Sequence, residues 1–437
     1  MVAAITGCAT YQPAPLKVSD LVAPSAWPSD LPADTVAPTL LRLALARDPA
    51  VAAARASLLA AQKSQSAAKN LPSLSLSLTA EYSKDADARR PWLYGGAVGI
   101  PLDLGARRQT RITAADLAVV RARYALAEAI WSVRQRLYRA LDDLTTADQD
   151  IALKAVLLAQ RQAYQAVAQK RVTQGEDAQP LSAQAALDVS SARQGLALAQ
   201  AQKSQAMIGL AHALDIAVDA VAGLHIPAAT ELPPPDEAHL AAMIEAMLYA
   251  RSDVLLAVTD YDLAENELRA AVAAQYPDIS LQPGYTWERG QVKLPVSLSL
   301  TLPPLDGNRA AIQSAQAARL ATGKTLEASV KTTRAAAVQA AASYRSDVAT
   351  AQTILETDLP AARDMAQHAQ RLSKAGESDQ AEALLAQINA TQTQINLLQA
   401  QRTARSDRRT LEDALHQSFD ATDTQILTDA ITREAPP

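Results

Sequence analysis

Phenylalanine occurs once in this chain, and aromatic residues together make up only 4% of its 437 positions. A globular core built on aromatic bulk is therefore excluded. The 49% hydrophobic content is mostly alanine and leucine, which suits long helices packed closely through small side chains. Glycine is scarce, at 14 residues, as long uninterrupted helices require. No apolar run reaches the roughly 18 residues of a membrane-crossing helix, so any membrane-spanning part must be a β-barrel or an anchor. The net charge is −5, and no basic stripe with interleaved aromatics is present, which argues against nucleic acid. The five histidines (His212, His225, His239, His368 and His416) have no ligand spacing, and the five methionines form no cluster, so no metal site is expected. Neither a phosphate-binding glycine loop nor a nucleophile–base arrangement stands out, and an enzyme is not indicated.

A single cysteine, Cys8, precludes an internal disulfide. Its setting, Ile5-Thr6-Gly7-Cys8, looks like a bacterial lipoprotein signal at its cleavage point, where Cys8 would become the acylated N-terminus. The residues before it are too short for a charged and an apolar signal region. Either the natural start lies upstream or the match is chance, with Cys8 an ordinary buried or disordered thiol.

What is present is a strict alternation. Leu74, Leu76, Leu78, Ala80 and Tyr82 fall on one face of an extended segment, and Ser75, Ser77, Thr79 and Glu81 on the other. Tyr94, Gly96, Val98, Ile100 and Leu102 repeat the pattern, as do Ile279, Leu281, Tyr285 and Trp287, and then Val292, Leu294, Val296, Leu298, Leu300 and Leu302. The expected strands are 73–82, 93–103, 278–288 and 292–302. Each is roughly 9–11 residues, the length of a tilted membrane strand. The alternative is two hairpins of a soluble α+β domain, but the rest of the chain offers no other sheet.

The remainder reads as helix. Residues 1–38 form a signal remnant and extended tether, rich in proline, alanine, serine and aspartate. Helix follows to about Asn70, with a break expected at Pro49. A helical hairpin spans 106–214 and turns at Gly175–Pro180, and 219–235 is a proline-rich linker. A helix from Asp236 through Met243 and Met247 to about Ala274 leads to the second pair of strands. A second hairpin spans 308–416 and turns at Gly376, interrupted only by Pro360. The tail, 419–437, reads as poorly ordered from Ala421 onward. Residues 39–218 and 236–418 are thus one unit duplicated. Pro72-Ser73-Leu74-Ser75-Leu76 matches Pro277-Asp278-Ile279-Ser280-Leu281 at an offset of 205, and Arg171 matches Arg371 at an offset of 200. Pro101 through Gly105 to Arg107 likewise matches Pro303 through Gly307 to Arg309.

Four strands cannot close a barrel, and open edges are not tolerated in lipid. Oligomerisation into a shared barrel satisfies both constraints. A dimer would supply eight strands, whose interior side chains fill, and a trimer twelve, which leave room for a pore. Serine, threonine, glutamine, glycine and glutamate on the inward face suit water. Tyr82, Trp92, Tyr94, Tyr285 and Trp287 lie near the loop ends of the strands, where an aromatic girdle belongs, although aromatics also simply favour strands. Trp131 lies mid-helix and reads as packing.

The duplication, the Pro-x-[Leu/Ile]-Ser-Leu and Pro-x-x-x-Gly-x-Arg segments flanking the strands, and the glycine-bearing tips resemble the outer membrane efflux proteins, the TolC-like channels. The resemblance covers nearly the whole chain. Tyr276-Pro277-Asp278-Ile279-Ser280-Leu281, with Pro283-Gly284-Tyr285-Thr286-Trp287, looks like the heavy-metal (cobalt–zinc–cadmium) branch. The resemblance implies a mainly α fold with a small β part and a homotrimer. The trimer would join a twelve-stranded barrel, four strands per chain, to an α-helical tube of long antiparallel hairpins. It also implies a periplasmic adaptor (membrane fusion) protein and an inner membrane pump of the resistance–nodulation–division type as partners, with outer membrane lipid around the barrel and no chemistry in the channel.

In that family acidic residues after the second tip narrow the entrance. Glu382 keeps such an acid, whereas Leu385 stands where many members carry aspartate, so a double acidic ring would be single here. A ring of like charges would favour cations; a solvated helix face is the alternative. Gly175, Glu176, Asp177, Gly376, Glu377 and Asp379 read as tip surface facing an adaptor or solvent, and Arg171 and Arg371 either as candidates to bond across helices there or as plain surface residues. An exit duct for type I protein secretion shares the architecture. A non-channel envelope scaffold lipoprotein would instead pack the leucine faces inside protein.

Overall fold

The computed structural model describes residues 11–16, 27, 36–84, 91–102, 106–224, 236–288 and 290–432. Cys8, most of the proposed tether, Asp103-Leu104-Gly105, His225 and the Pro233-Pro234-Pro235 linker lie outside the described residues.

Helices α1 (Ala37–Arg47) and α2 (Pro49–Ala68) meet at Asp48. Asp48 caps α2, accepting from the backbone N–H of Ala50 (2.8 Å) and Val51 (3.2 Å), and Pro49 takes the first helical position, where its missing donor is not needed. The break expected at Pro49 is found. Strands β1 (Ser75–Tyr82) and β2 (Trp92–Leu102) follow, then α3 (Ala106–Thr173), 68 residues long, and α4 (Gln179–Leu214) running back. The short α5 (Val218–Val221) ends the first unit.

The second unit has α6 (Glu237–Ala246), a tight turn at Met247–Tyr249 and α7 (Ser252–Ala273). The single helix expected from Asp236 to Ala274 is therefore two. The break falls at Arg251, whose backbone is extended (ψ 124°) and whose guanidinium donates to the carbonyls of Asp413 (3.1 Å) and Ala414 at the end of a distant helix. The same joint occurs at Arg47–Asp48 in the first unit, so the duplication extends to it.

Strand β3 is Asp278–Glu288. The expected fourth strand is split into β4 (Gln291–Lys293) and β5 (Val296–Thr301). Pro295 lacks a donor, and its carbonyl instead accepts from the N–H of Gly284 (2.8 Å), bending the strand while both pieces stay paired with β3. Then come α8 (Arg309–Thr353), a widened π-turn at Ile354–Asp358, α9 (Leu359–Ala375), α10 (Gln380–Leu415) and α11 (Ala421–Thr432). The π-turn precedes Pro360, whose ring cannot sit over the carbonyl four residues back in a regular helix.

The sheet is antiparallel in the order β1-β2-β3, with β4 and β5 on the far side of β3. Its register pairs Leu76 with Val98, Gly96 with Tyr285, Ile100 with Leu281 and Leu281 with Leu298, so one face is apolar throughout. Ser77 pairs with Ala97, Thr286 with Gly95 and Gln282 with Ser297 on the other. Packing is carried elsewhere. One core joins Leu40, Leu41, Ile130, Leu137, Leu210 and Leu214, and a second joins Met243, Ala337, Tyr344, Leu411 and Leu415. As far as Thr432, its last described residue, the tail does not follow the expectation of disorder. Asp420 accepts from the N–H of Thr422 (2.8 Å) and starts α11, which buries Ile426, Leu427 and Ala430 in the first core. Trp131 is 5% exposed and packed in that core, as expected.

Candidate functional site

Three regions bear on function: the strand pole, the free faces of the outer helices, and the hairpin tips. At the strand pole, Leu74, Leu76, Leu78, Leu294 and Leu302 are all more than half exposed. The register places Tyr82, Trp92, Tyr94, Tyr285 and Trp287 on this same apolar face, at its loop end. Tyr82 meets Trp92 edge-on at 5.1 Å between ring centres, Trp92 stacks on Tyr94 at 5.8 Å, and Tyr94 stacks on Trp287 at 6.2 Å. They form a continuous aromatic row across three strands. Among the described residues β1 and β5 pair on one side only, so both sheet edges are open.

In the helical body α3 lies between α4 and α10, and α10 lies between α3 and the α8–α9 arm. The outermost helices carry unmatched apolar side chains: Leu187, Leu198 and Ile208 on α4, and Leu320, Val338 and Met365 on α8 and α9.

The two tips are built alike. Gly175 (φ 77°) and Gly376 (φ 75°) adopt the left-handed conformation that ends α3 and α9. The N–H of Glu176 donates to the carbonyl of Arg171, and that of Glu377 to the carbonyl of Leu372, both at 2.9 Å. Arg171 bonds Asp177 at 2.6 Å and reaches Asp379 on the other tip, while Asp379 also caps α10 through the N–H of Ala381 (3.1 Å). Glu176 lies 3.9 Å from Arg171. Arg371 is exposed and makes no ion pair among the described residues, so the symmetry of the two arginines in sequence does not extend to their contacts. Glu377 is exposed. Glu382 sits in the first turn of α10, at the head of an exposed stripe that continues through Leu385, Asn389, Gln392, Asn396 and Gln399.

Sequence reasoning missed a buried ionic joint about midway along α3. Arg134, fully buried, donates to Asp423 (3.0 Å), Glu412 (3.0 Å) and Ser418 (2.7 Å). Tyr138 donates to Asp423 (2.7 Å), and Arg409 bonds both Glu412 and Asp142 at 3.0 Å. The guanidinium of Arg134 also lies over the rings of Trp131 and Tyr138. Burial alone would raise the Glu412 carboxyl, but the guanidiniums of Arg134 and Arg409 outweigh it and hold it below the ordinary carboxylate range. Beside this joint His416 stacks on Trp131 and bonds Glu128 at 2.8 Å. That bond is the main reason the Glu128 carboxyl is lowered. The sequence signal was weak, since Arg134 shares Ile130–Leu137 with Ser132, Gln135 and Arg136; its acidic partners lie 278 and 289 positions away. No three His, Cys, Asp or Glu side chains converge as metal ligands among the described residues.

A sequence model of the family described as "outer membrane efflux protein" matches residues 40–215 and 243–416, most of the chain and both repeats. No curated protein matches. Several solved structures share the fold. VceC, an outer membrane protein of Vibrio cholerae, is 18% identical with a TM-score of 0.70, covering 87% of this chain and 96% of that one. The CmeC outer membrane channel of Campylobacter jejuni is 13% identical with a TM-score of 0.69, covering 90% of this chain and 88% of that one. The open-state MtrE outer membrane channel of Neisseria gonorrhoeae is 19% identical with a TM-score of 0.68, covering 93% and 97%. At these identities the likeness speaks for the fold alone.

Proposed function

The chain belongs to the outer membrane efflux protein family, and from that premise we propose that three copies of it close a twelve-stranded barrel in the outer membrane. Their α3–α4 and α8–α10 hairpins would continue the barrel as a helical tube in the periplasm. Its place is the Gram-negative outer membrane, and its role is that of a channel, not an enzyme. The observation that carries closure by further copies is the open sheet, with one continuous apolar face and two unpaired edges, β1 and β5; three copies rather than two leave room for a pore. Lipid tolerates neither edge, and further copies of the same sheet supply the missing partners. The unmatched apolar faces of α4 and of α8–α9 fit the same closure.

In this reading the tube receives substrates, metal cations or small toxic compounds, from a periplasmic adaptor and a pump of the resistance–nodulation–division type. Transport through the channel is passive. The tips at Gly175–Asp177 and Gly376–Asp379 meet the adaptor. Glu382 of each copy forms a single acidic ring at the entrance, Arg171 ties the two tips together, and the aromatic row sits at the outer membrane surface. A lipid on Cys8 adds an anchor.

The test is the mass of the detergent-extracted protein together with its conductance in planar bilayers. A trimer that forms cation-preferring pores, and loses that preference with Glu382→Gln, is the expected result. A monomer that stays soluble without detergent, or a trimer that forms no pore, refutes the channel.

A further inference from the structure

The two ends of the sheet are chemically unlike. The loop end carries the aromatic row, whereas the end that runs into helix carries cations. Lys69 closes α2, Arg107, Arg108 and Arg111 lie in the first turns of α3, and Arg309 opens α8. They stand just beyond the last apolar residues of the strands, next to Leu71, Tyr276 and Leu305, which are 80%, 71% and 110% exposed. We propose that this basic collar binds the phosphate groups of anionic phospholipids in the leaflet that faces the helical body. The inference rests on the membrane-spanning reading above and adds a lipid class to it.

The geometry holds the collar in place. Arg107 bridges Asp278 and the carbonyl of Tyr276 (2.6 Å), linking the start of α3 to the start of β3. Arg108 donates to the carbonyl of Lys69 (3.2 Å), and Arg111 to that of Ala68 (3.3 Å). These bonds satisfy carbonyls left over at the end of α2, which accounts for arginine there. Arg107 and Arg108 each use a minority of the five donors that a guanidinium carries. Capping does not account for Lys69 and Arg309, whose side chains are exposed and make no ion pair among the described residues.

Asp278 and Asp306 offset only part of the charge of Lys69, Arg107, Arg108, Arg111 and Arg309. Asp278 is held by Arg107, and Asp306 accepts from the backbone N–H groups of Asn308 (3.0 Å) and Ala310 (3.3 Å). A fixed ring of excess positive charge at the edge of the hydrocarbon is where long cationic side chains meet headgroup phosphates through charge-assisted hydrogen bonds.

The experiment uses the full chain reconstituted into nanodiscs of phosphatidylcholine mixed with phosphatidylglycerol. The lipid that stays with the protein is then analysed by native mass spectrometry after mild delipidation. Phosphatidylglycerol is expected to be retained over phosphatidylcholine. The double variant Lys69→Gln/Arg309→Gln, which leaves the capping arginines untouched, should lower that preference on the order of tenfold. The charge-keeping variant Lys69→Arg/Arg309→Lys should preserve it, and inorganic phosphate should not displace the lipid. Equal retention of both lipids, an unchanged preference in the glutamine variant, or displacement by inorganic phosphate would overturn the collar. Failure of the protein to enter the discs at all would instead overturn the membrane-spanning reading.

Discussion

Asp423 offers the sharpest perturbation. It is fully buried, accepts from Arg134 at 3.0 Å and from Tyr138 at 2.7 Å, and is the charged contact through which α11 holds the long helix. Asp423→Asn keeps the shape, removes the charge and turns an amide toward groups that themselves donate. Removing one partner of a buried ion pair costs about 3–5 kcal/mol. Arg134 keeps Glu412, so the lower end, about 3 kcal/mol, applies here. Since about 1.4 kcal/mol is a factor of ten, α11 should open on the order of a hundred times more often. Among the described elements α11 packs chiefly on α1 and α3, so the loss should be local. Hydrogen exchange in detergent reads it directly. Protection at residues 421–432 should fall about a hundredfold while that of α8 and α9 is unchanged. Asp429→Asn, on the exposed side of the same helix, should change it by no more than about 0.5 kcal/mol. Unchanged protection in Asp423→Asn would refute the joint, and uniform loss across the chain would refute its local character.

Three further outcomes follow from the geometry. Leu76→Arg places a charge on the apolar face of β1 and should cost about 2–4 kcal/mol at mid-bilayer, depleting assembled protein from outer membrane fractions, whereas Ser77→Arg on the other face should be tolerated. Normal assembly of Leu76→Arg would count decisively against a lipid-facing sheet. Gly376→Ala forces a side chain into a left-handed turn (φ 75°) at a cost of about 1–2 kcal/mol, so proteolysis within 372–378 should accelerate, and an unaltered cleavage rate would contradict the turn. Glu412 and Glu128 have lowered folded-state values, so the stability they contribute is fully present above the ordinary value of 4.5 and is lost as pH falls through the lowered ones. Protection of α11 should therefore decline only below about pH 4.5, and a decline beginning near neutrality would exclude these carboxylates as the cause.

Much of the architecture is legible in one dimension because it rests on local periodicity. The alternation at Leu74–Tyr82 can only be a two-faced strand, and 68 residues without proline or glycine leave little but helix for Ala106–Thr173. The tips announced themselves through Gly175 and Gly376, since a long helix that reverses needs a left-handed residue. Misreadings fall where a contact from elsewhere decided the local form. A helix breaks at Arg251, where its guanidinium meets the carbonyls of Asp413 and Ala414, and Pro295 splits a strand whose alternation runs through it unbroken. The tail was misread for a related reason. Its Asp420 cap and its Ile426, Leu427 and Ala430 stripe are short signals, and they matter only because α1 and α3 provide a surface to cover.

By itself, then, the sequence determined which segments are strand or helix, that they occur twice, and which strand face is oily. Hydrogen bonding and side-chain spacing within a few residues dictate those features. Only the tertiary structure decided which distant charges meet. It joined Arg134 to Glu412 and Asp423, linked Arg171 to the second tip while leaving Arg371 exposed, and brought Tyr82, Trp92, Tyr94 and Trp287 into one row across three strands. A buried charge needs a partner in space rather than in sequence, because desolvation penalises it wherever the chain happens to place it.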